Sequence, residues 1–186
     1  NKKIKSVKKI NKKYKISNKL YDYVVNCSWQ QSFKQKKLNL IYEHCYFPLF
    51  KKKNKKHNSY TIIDGPFYTL FEWNKILFSL YSVKDSRILS SKNFDLVEKS
   101  YKQFNKEQKK KALYKIVNGF LEFYPSFKKN FKYIKDSHCI RTITKNTKDA
   151  RVCSIKNDNN FIHVMSGKID HIFYAYEKVR KCIKIY

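Results

Sequence analysis

The stretch PFYTLFEWNKILFSLY, residues 66–81, decides how the middle of this chain is read. Before it, Tyr60 to Ile63 is a short apolar run that reads as a strand, broken by Asp64-Gly65-Pro66. The fixed φ and missing N–H of Pro66 suit the first turn of a helix. Phe67, Leu70, Phe71, Asn74, Leu77, Phe78 and Tyr81 then recur at helical spacing, so a helix is expected here. A second helix is expected from near Ser91, with Phe94, Val97, Tyr101 and Phe104 on one stripe. Asn105-x-x-Gln108 is a capping box for a third, which turns Ala112, Leu113, Ile116, Val117, Phe120 and Leu121 inward and ends before Pro125.

Downstream the period changes from helical to alternating. Cys139 to Thr144 alternates, Asn146 to Asp149 is a turn, and Arg151 to Lys156 is a second strand. Asn157 to Asn160 is another turn and Phe161 to Met165 a third strand. After Ser166-Gly167 a last helix carries Ile169, Ile172, Phe173, Tyr176, Val179 and Ile183 on one face. Upstream, residues 1–19 read as a Lys-rich arm that orders only against a partner. Leu20 to Val25 and Leu38 to Phe50 are aromatic-rich and able to pack, and Lys51 to His57 is a charged loop.

The expected fold class is therefore α+β, with a helical middle segment followed by a three-stranded antiparallel meander and a C-terminal helix. Four segments are expected: a basic arm (1–19), an irregular aromatic and basic extension (20–65), a helical segment (66–135) and a β-β-β-α segment (136–186).

The formal net charge is +28 over 186 residues, and only four of the 42 basic residues are arginine. Charge of this density calls for a polyanion, because like charges repel in a compact fold. Nucleic acid is the obvious one, since each neutralised phosphate releases a counterion. The preference for Lys over Arg, with Asn, Ile, Tyr and Phe abundant, also records A/T-rich codons. Five widely spaced cysteines without a C-x-x-C pair do not make a disulfide framework, which favours a reducing compartment. No apolar run reaches the ~18 residues that span a bilayer, so no membrane span is expected. The chain starts at Asn1, with a Lys-rich rather than Arg-rich start, which leaves a removed leader and an incomplete chain both open.

The candidate binding residues are the Lys runs. They comprise Lys8, Lys9, Lys12 and Lys13 in the arm, Lys51, Lys52, Lys53, Lys55 and Lys56 in the loop, then Lys109 and Lys110, and Lys128 and Lys129. Cations interleaved with stacking aromatics suit RNA better than duplex DNA. The competing reading is that each run is a solvated face. Arg141 and Arg151 on adjacent expected strands, with Arg180 on the last helix, are phosphate-clamp candidates. The alternative is a surface ion pair with Asp149, Asp170 or Glu177. His138, Cys139, Cys153, His163 and His171 concentrate near the C-terminus but lack the short ligand spacing of a zinc site, so no metal is expected. Asp95 and Glu98 are the one carboxylate pair with a shared helical face, and no nucleophile or phosphate-loop motif accompanies them. No catalytic residue and no cofactor is expected, and the chain reads as a non-enzyme.

The Lys-rich arm, the Lys runs between aromatic cores and the codon bias together resemble an organellar, in particular mitochondrial, ribosomal protein of an AT-rich protist. Residues 138–186, with Ile143-Thr144, Ala150, Phe161, Ala175 and Glu177, are similar in order to the β-β-β-α start of small-subunit ribosomal protein eleven. That family's glycine-rich basic loop is absent, since Asn157 to Lys168 holds only Gly167. The resemblance implies a structural constituent of the mitochondrial ribosome in the matrix, with rRNA and neighbouring ribosomal proteins as partners and no small-molecule substrate. It further implies that Arg141, Lys145, Lys148, Arg151, Lys156 and Lys168 lie nearest the RNA. Two alternatives stay open: a protein–protein accessory or parasite-exported interaction module built on the helices, and a divergent RNA-processing enzyme.

Overall fold

The computed structural model describes residues 4, 6–29, 33, 38–53, 58–63, 65, 67–144, 153–166 and 169–183. In chain order the strands begin with β1 (Lys8–Ile10), β2 (Lys13–Ile16), β3 (Lys19–Tyr21), β4 (Val24–Asn26) and β5 (Leu40–Tyr46). Next come β6 (Leu49–Lys52), β7 (Tyr60–Ile62), β8 (Tyr68–Glu72), β9 (Leu77–Ser82) and β10 (Arg87–Ser91). Helices α1 (Phe94–Lys102), α2 (Lys106–Leu121) and α3 (Phe127–Asn130) follow. The rest is β11 (Phe131–Lys135), β12 (His138–Thr144), β13 (Ser154–Asp158), β14 (Phe161–Met165) and α4 (Ile172–Cys182), the last entered through one 3₁₀ turn.

Among the described residues, fourteen strands in four sheets outweigh four helices, so the chain is mainly β. This overturns the expected helical middle. Residues 67–81 are not a helix. They form the β8–β9 hairpin, paired from Tyr68 opposite Ser82 to Glu72 opposite Phe78. The Asn74 carboxamide oxygen accepts from the N–H groups of Ile76 and Leu77 at 3.0 and 2.9 Å and makes the turn. The inward residues have period two: Tyr68 and Leu70 on β8, Phe78, Leu80 and Ser82 on β9. The other two helices stand where their caps put them. Asn93 caps α1 by accepting from Asp95 N–H, and Asn105 with Gln108 makes a reciprocal capping box on α2.

The chain divides into two units, one formed by Ile41–Arg141 and one by Asn1–Leu40 with Thr142–Tyr186. In the first, the five-stranded sheet β11-β6-β9-β8-β7 is antiparallel throughout and is covered by α2. Its core joins Leu70, Phe78 and Leu80 from the sheet to Ile116, Val117 and Phe120 from α2. Burying each such side chain contributes roughly 1.5–3 kcal/mol. With alanine nearly absent, aromatics fill the volume. Phe127 stacks on Phe131 at 5.1 Å and meets Phe50 and Phe120 edge-on at 4.9 and 5.1 Å. Most of the sheet β10-β5-β12 belongs to the same unit, and β5 is buried on both faces from Tyr42 to Tyr46.

In the second unit the expected basic arm is a meander, β1-β2-β3, whose turns place Asn11 and Ser17 at φ 53° and 54°. Asn and Ser fill these left-handed positions in a chain with three glycines. The expected three-stranded C-terminal meander is also corrected. β12 pairs in another sheet, while the hairpin β13–β14 is extended by β4 running parallel to β14. Asn159 and Asn160, at φ 52° and 70°, form the expected second turn. The first, Asn146 to Asp149, lies outside the described residues. Helix α4 does not bury the expected stripe, because Ile172, Phe173 and Tyr176 are exposed. No helix among the described residues is long and apolar enough to cross a membrane.

Candidate ligand site and buried polar cluster

The Ile41–Arg141 unit contains an open apolar cavity of about 470 Å³. Helix α2 supplies one wall through Lys110, Leu113, Tyr114 and Val117, which helical periodicity places on a single face. The floor is Phe50 on β6, Phe127 on α3 and Phe131 on β11, all under 5% exposed. Tyr133 also lines it. The tight α3 turn that presents Phe127 is held by Asn130, whose carboxamide N–H donates to the hydroxyl oxygen of Tyr124 at 2.8 Å. Four ammonium groups stand at the rim: Lys53, Lys110, Lys128 and Lys132. The Lys53 ammonium donates to the Lys128 carbonyl at 3.2 Å. No carboxylate is among the described lining residues. An apolar floor with one sign of charge at the mouth favours an amphipathic anion.

The second feature is a polar cluster built around β5. Alternation sends Tyr42, His44 and Tyr46 to the helix-facing side and Glu43 and Cys45 to the other. On the first side His44 sits between two partners. Its Nδ1 is 2.9 Å from Ser100 Oγ and its Nε2 is 3.0 Å from His138 Nδ1. Tyr101 and Phe104 pack against its ring. Burial, with His138 and Lys109 nearby, pushes the His44 pKa down to about 4. Burial also lowers His138, helped by Lys109 and opposed by Asp136. A serine, a histidine and a third orienting group is the arrangement of an activated nucleophile. Yet a base of pKa about 4 is poorly matched to neutral pH, and His44 is 0% exposed. The triad therefore acts as a hydrogen-bonded core element. Tyr46 donates to the Asp136 carboxylate at its edge.

On the opposite side Glu43, 1% exposed, accepts from Arg141 Nε at 2.5 Å and lies 3.4 Å from Arg87 Nη1. The Arg141 guanidinium stands 5.9 Å from the Tyr81 ring centre. Burial pushes the Cys45 thiol up to about 11, with Arg141 opposing. Burial also drives the Tyr81 phenol up to about 12.

Of the residues singled out in the sequence, the fold brings Lys53, Lys110 and Lys128 to one cavity. It does not gather the others there. Lys8, Lys9, Lys12 and Lys13 lie on the β1–β2 hairpin, where Lys13 pairs with Asp22 at 3.0 Å. Lys51 and Lys52 are strand residues of β6, and Lys52 sits 5.6 Å over the Phe78 ring. Lys109 covers Phe104 at 5.8 Å, Lys129 is exposed on α3 and Lys156 lies on β13. Arg141 is committed to Glu43, a partner not among those considered from the sequence, and Arg180 reaches Glu177 at 3.9 Å. Lys55, Lys56, Lys145, Lys148, Arg151 and Lys168 lie outside the described residues. Glu98 pairs with Lys102 at 2.9 Å. His163 Nδ1 is 3.1 Å from Asn26 Nδ2, and His171 Nδ1 is 3.1 Å from Ser166 Oγ. Sequence reasoning missed Lys132, His44, Ser100 and Glu43. The available signal was the alternation of β5 and β11, which puts each polar residue on a definite face.

No family model matches the chain. It is similar to the FAD-dependent monooxygenase FPY4 of Fusarium mangiferae, with 24% identity over 184 residues. That alignment takes in 97% of this chain and 49% of the relative, so the chain spans about half the relative's length. The likeness is to a protein named as an enzyme, and it points toward an enzyme rather than a non-enzyme. It overturns the expectation of a ribosomal structural constituent, and nothing found supports ribosomal or RNA-binding terms.

The residues here do not fit a dinucleotide such as FAD. Its pyrophosphate is ordinarily cradled by a glycine-rich turn between a parallel strand and a helix N-terminus. This chain has glycine only at 65, 119 and 167, with no G-x-G-x-x-G. Gly119 lies inside α2, where an added Cβ would fall 1.9 Å from the Tyr68 hydroxyl, so it serves packing. Among the described residues the parallel pair is β14 with β4, joined through the entire Ile41–Arg141 unit rather than by one crossover helix.

Proposed function

We propose that this chain is part of an enzyme and that its Ile41–Arg141 unit holds an amphipathic organic anion, such as a medium-chain carboxylate. The apolar body lies on Phe50, Val117, Phe127 and Phe131, and the anionic group rests against Lys53, Lys110, Lys128 and Lys132. The observation that carries this reading is the 470 Å³ apolar cavity whose mouth is lined by four lysines and no described carboxylate. Its volume lies within the roughly 300–1,000 Å³ of small-molecule sites. The distant likeness to a named monooxygenase supports the enzymatic setting.

The test is calorimetric titration of the full chain with decanoate. Each buried methylene contributes roughly 0.8 kcal/mol, so a dissociation constant on the order of tens of micromolar is expected after association costs. Val117→Trp, which fills the cavity from the α2 wall, should abolish the heat while circular dichroism stays that of the parent. Equal binding to the filled variant would sink the proposal.

A further inference from the structure

Strand β12 neighbours β5 in the sheet, two contacts give it an antiparallel course, and Cys139 acts electrostatically on Cys45. The Phe47 backbone N–H donates to the Ser137 carbonyl at 2.8 Å, and Arg141 Nε donates to Glu43 at 2.5 Å. In an antiparallel pair the numbers of facing residues have a constant sum. Both contacts give the same sum, and it places Cys45 directly opposite Cys139. Facing residues put their side chains on one side of the sheet with Cβ atoms about 4.5–5.5 Å apart. Disulfides have Cα separations of about 4.4–6.8 Å and Cβ separations near 4 Å, so this pairing needs only a small local adjustment. Both cysteines are reduced, Cys45 buried and Cys139 half-buried. Cys27, Cys153 and Cys182 belong to the other unit.

We propose that Cys45 and Cys139 form a reversible cross-strand disulfide, a modification site that closes the Ile41–Arg141 unit on itself. The oxidant is a low-molecular-weight disulfide such as oxidised glutathione. Cys139, the more accessible, gives its proton to solvent and its thiolate attacks one sulfur of the small disulfide, expelling a small thiolate. Cys45 then loses its proton and attacks the Cys139 sulfur, expelling the second. Two protein thiols are oxidised to one disulfide, and the small disulfide is reduced to two thiols. Arg141 lies beside both sulfurs and favours each thiolate, while burial opposes it and holds both thiols protonated at neutral pH. Closure is therefore slow at neutral pH and quickens as pH rises. The covalent link spans nearly the whole unit, cavity included, and so restrains its unfolded state.

The test uses the full chain carrying Cys27→Ser, which removes the exposed thiol. After incubation with oxidised glutathione the intact mass should fall by two hydrogen atoms. Digestion should then yield a peptide pair joined through Cys45 and Cys139, and the melting temperature should rise. Dithiothreitol should reverse all three. Cys139→Ala should leave Cys45 unoxidised. The proposal is overturned by full alkylation of both cysteines after oxidation, by a glutathione retained on Cys139, or by a link from Cys45 to any other cysteine. These readings come from the parent fold, so they hold even where an alanine variant fails to fold.

Discussion

The carboxylate of Glu43 and the guanidinium of Arg141 meet at 2.5 Å across β5 and β12, with Glu43 1% exposed and Arg87 on its other oxygen at 3.4 Å. A carboxylate this deep is tolerated because both oxygens face cations. Glu43→Gln keeps the shape and removes the charge, leaving Arg141 partly buried without its counter-ion. The expected loss is about 3 kcal/mol of unfolding free energy, read as a lower urea midpoint at unchanged slope. Replacing the pair together, Glu43→Leu with Arg141→Met, should cost less than Glu43→Gln alone.

His44 supplies a pH dependence. Its native pKa of about 4 lies below the ordinary 6.5, so the unfolded chain binds the proton more readily. Its contribution is complete above pH 6.5 and is lost as pH falls toward 4. The shift corresponds to about 3 kcal/mol, and the burial-lowered His138 and His163 act in the same direction. Melting temperature should therefore fall between pH 6.5 and 4, and His44→Phe should flatten that slope.

Gly119 makes a prediction opposite to helix propensity. On an exposed helix Gly→Ala gains roughly 1 kcal/mol. Here the new methyl would lie 1.9 Å from the Tyr68 hydroxyl, and Tyr68 is 3% exposed and packed on Phe120 and Phe123. Gly119→Ala should destabilise by about 1–3 kcal/mol. Tyr68→Phe in the same chain should recover part of that loss, which a double-mutant cycle in urea measures.

The helix cap at Asn105 was legible, because a cap is local chemistry between a side chain and nearby backbone, while the Asn93 cap of α1 was not picked out. The Asn157–Asn160 turn was legible for the same reason. The β8–β9 hairpin was not. In residues 66–81 aromatics occupy both faces, so Phe67, Leu70, Phe71, Asn74, Leu77, Phe78 and Tyr81 satisfy a helical spacing by coincidence. Tyr68, Leu70, Phe78 and Leu80 are the ones the sheet buries. What decides between the two is pairing with β6 and β7, which no local period contains. The cavity was not legible. Lys53, Lys110 and Lys128 were picked out as parts of charge runs, but their convergence over Phe127 and Phe131 depends on tertiary packing. Arg141 was singled out as a phosphate-clamp candidate, but it pairs with Glu43, which lies 98 residues away in sequence.

The central claim is tested most directly by matched titrations of the full chain with decanoate and with decyltrimethylammonium, which share an apolar body and differ in the sign of the head group. The account predicts that decanoate binds at least tenfold tighter, that added salt narrows the gap, and that Lys128→Glu with Lys132→Glu removes most of it. Equal affinity for the two amphiphiles, or tighter binding of the cation, would contradict it.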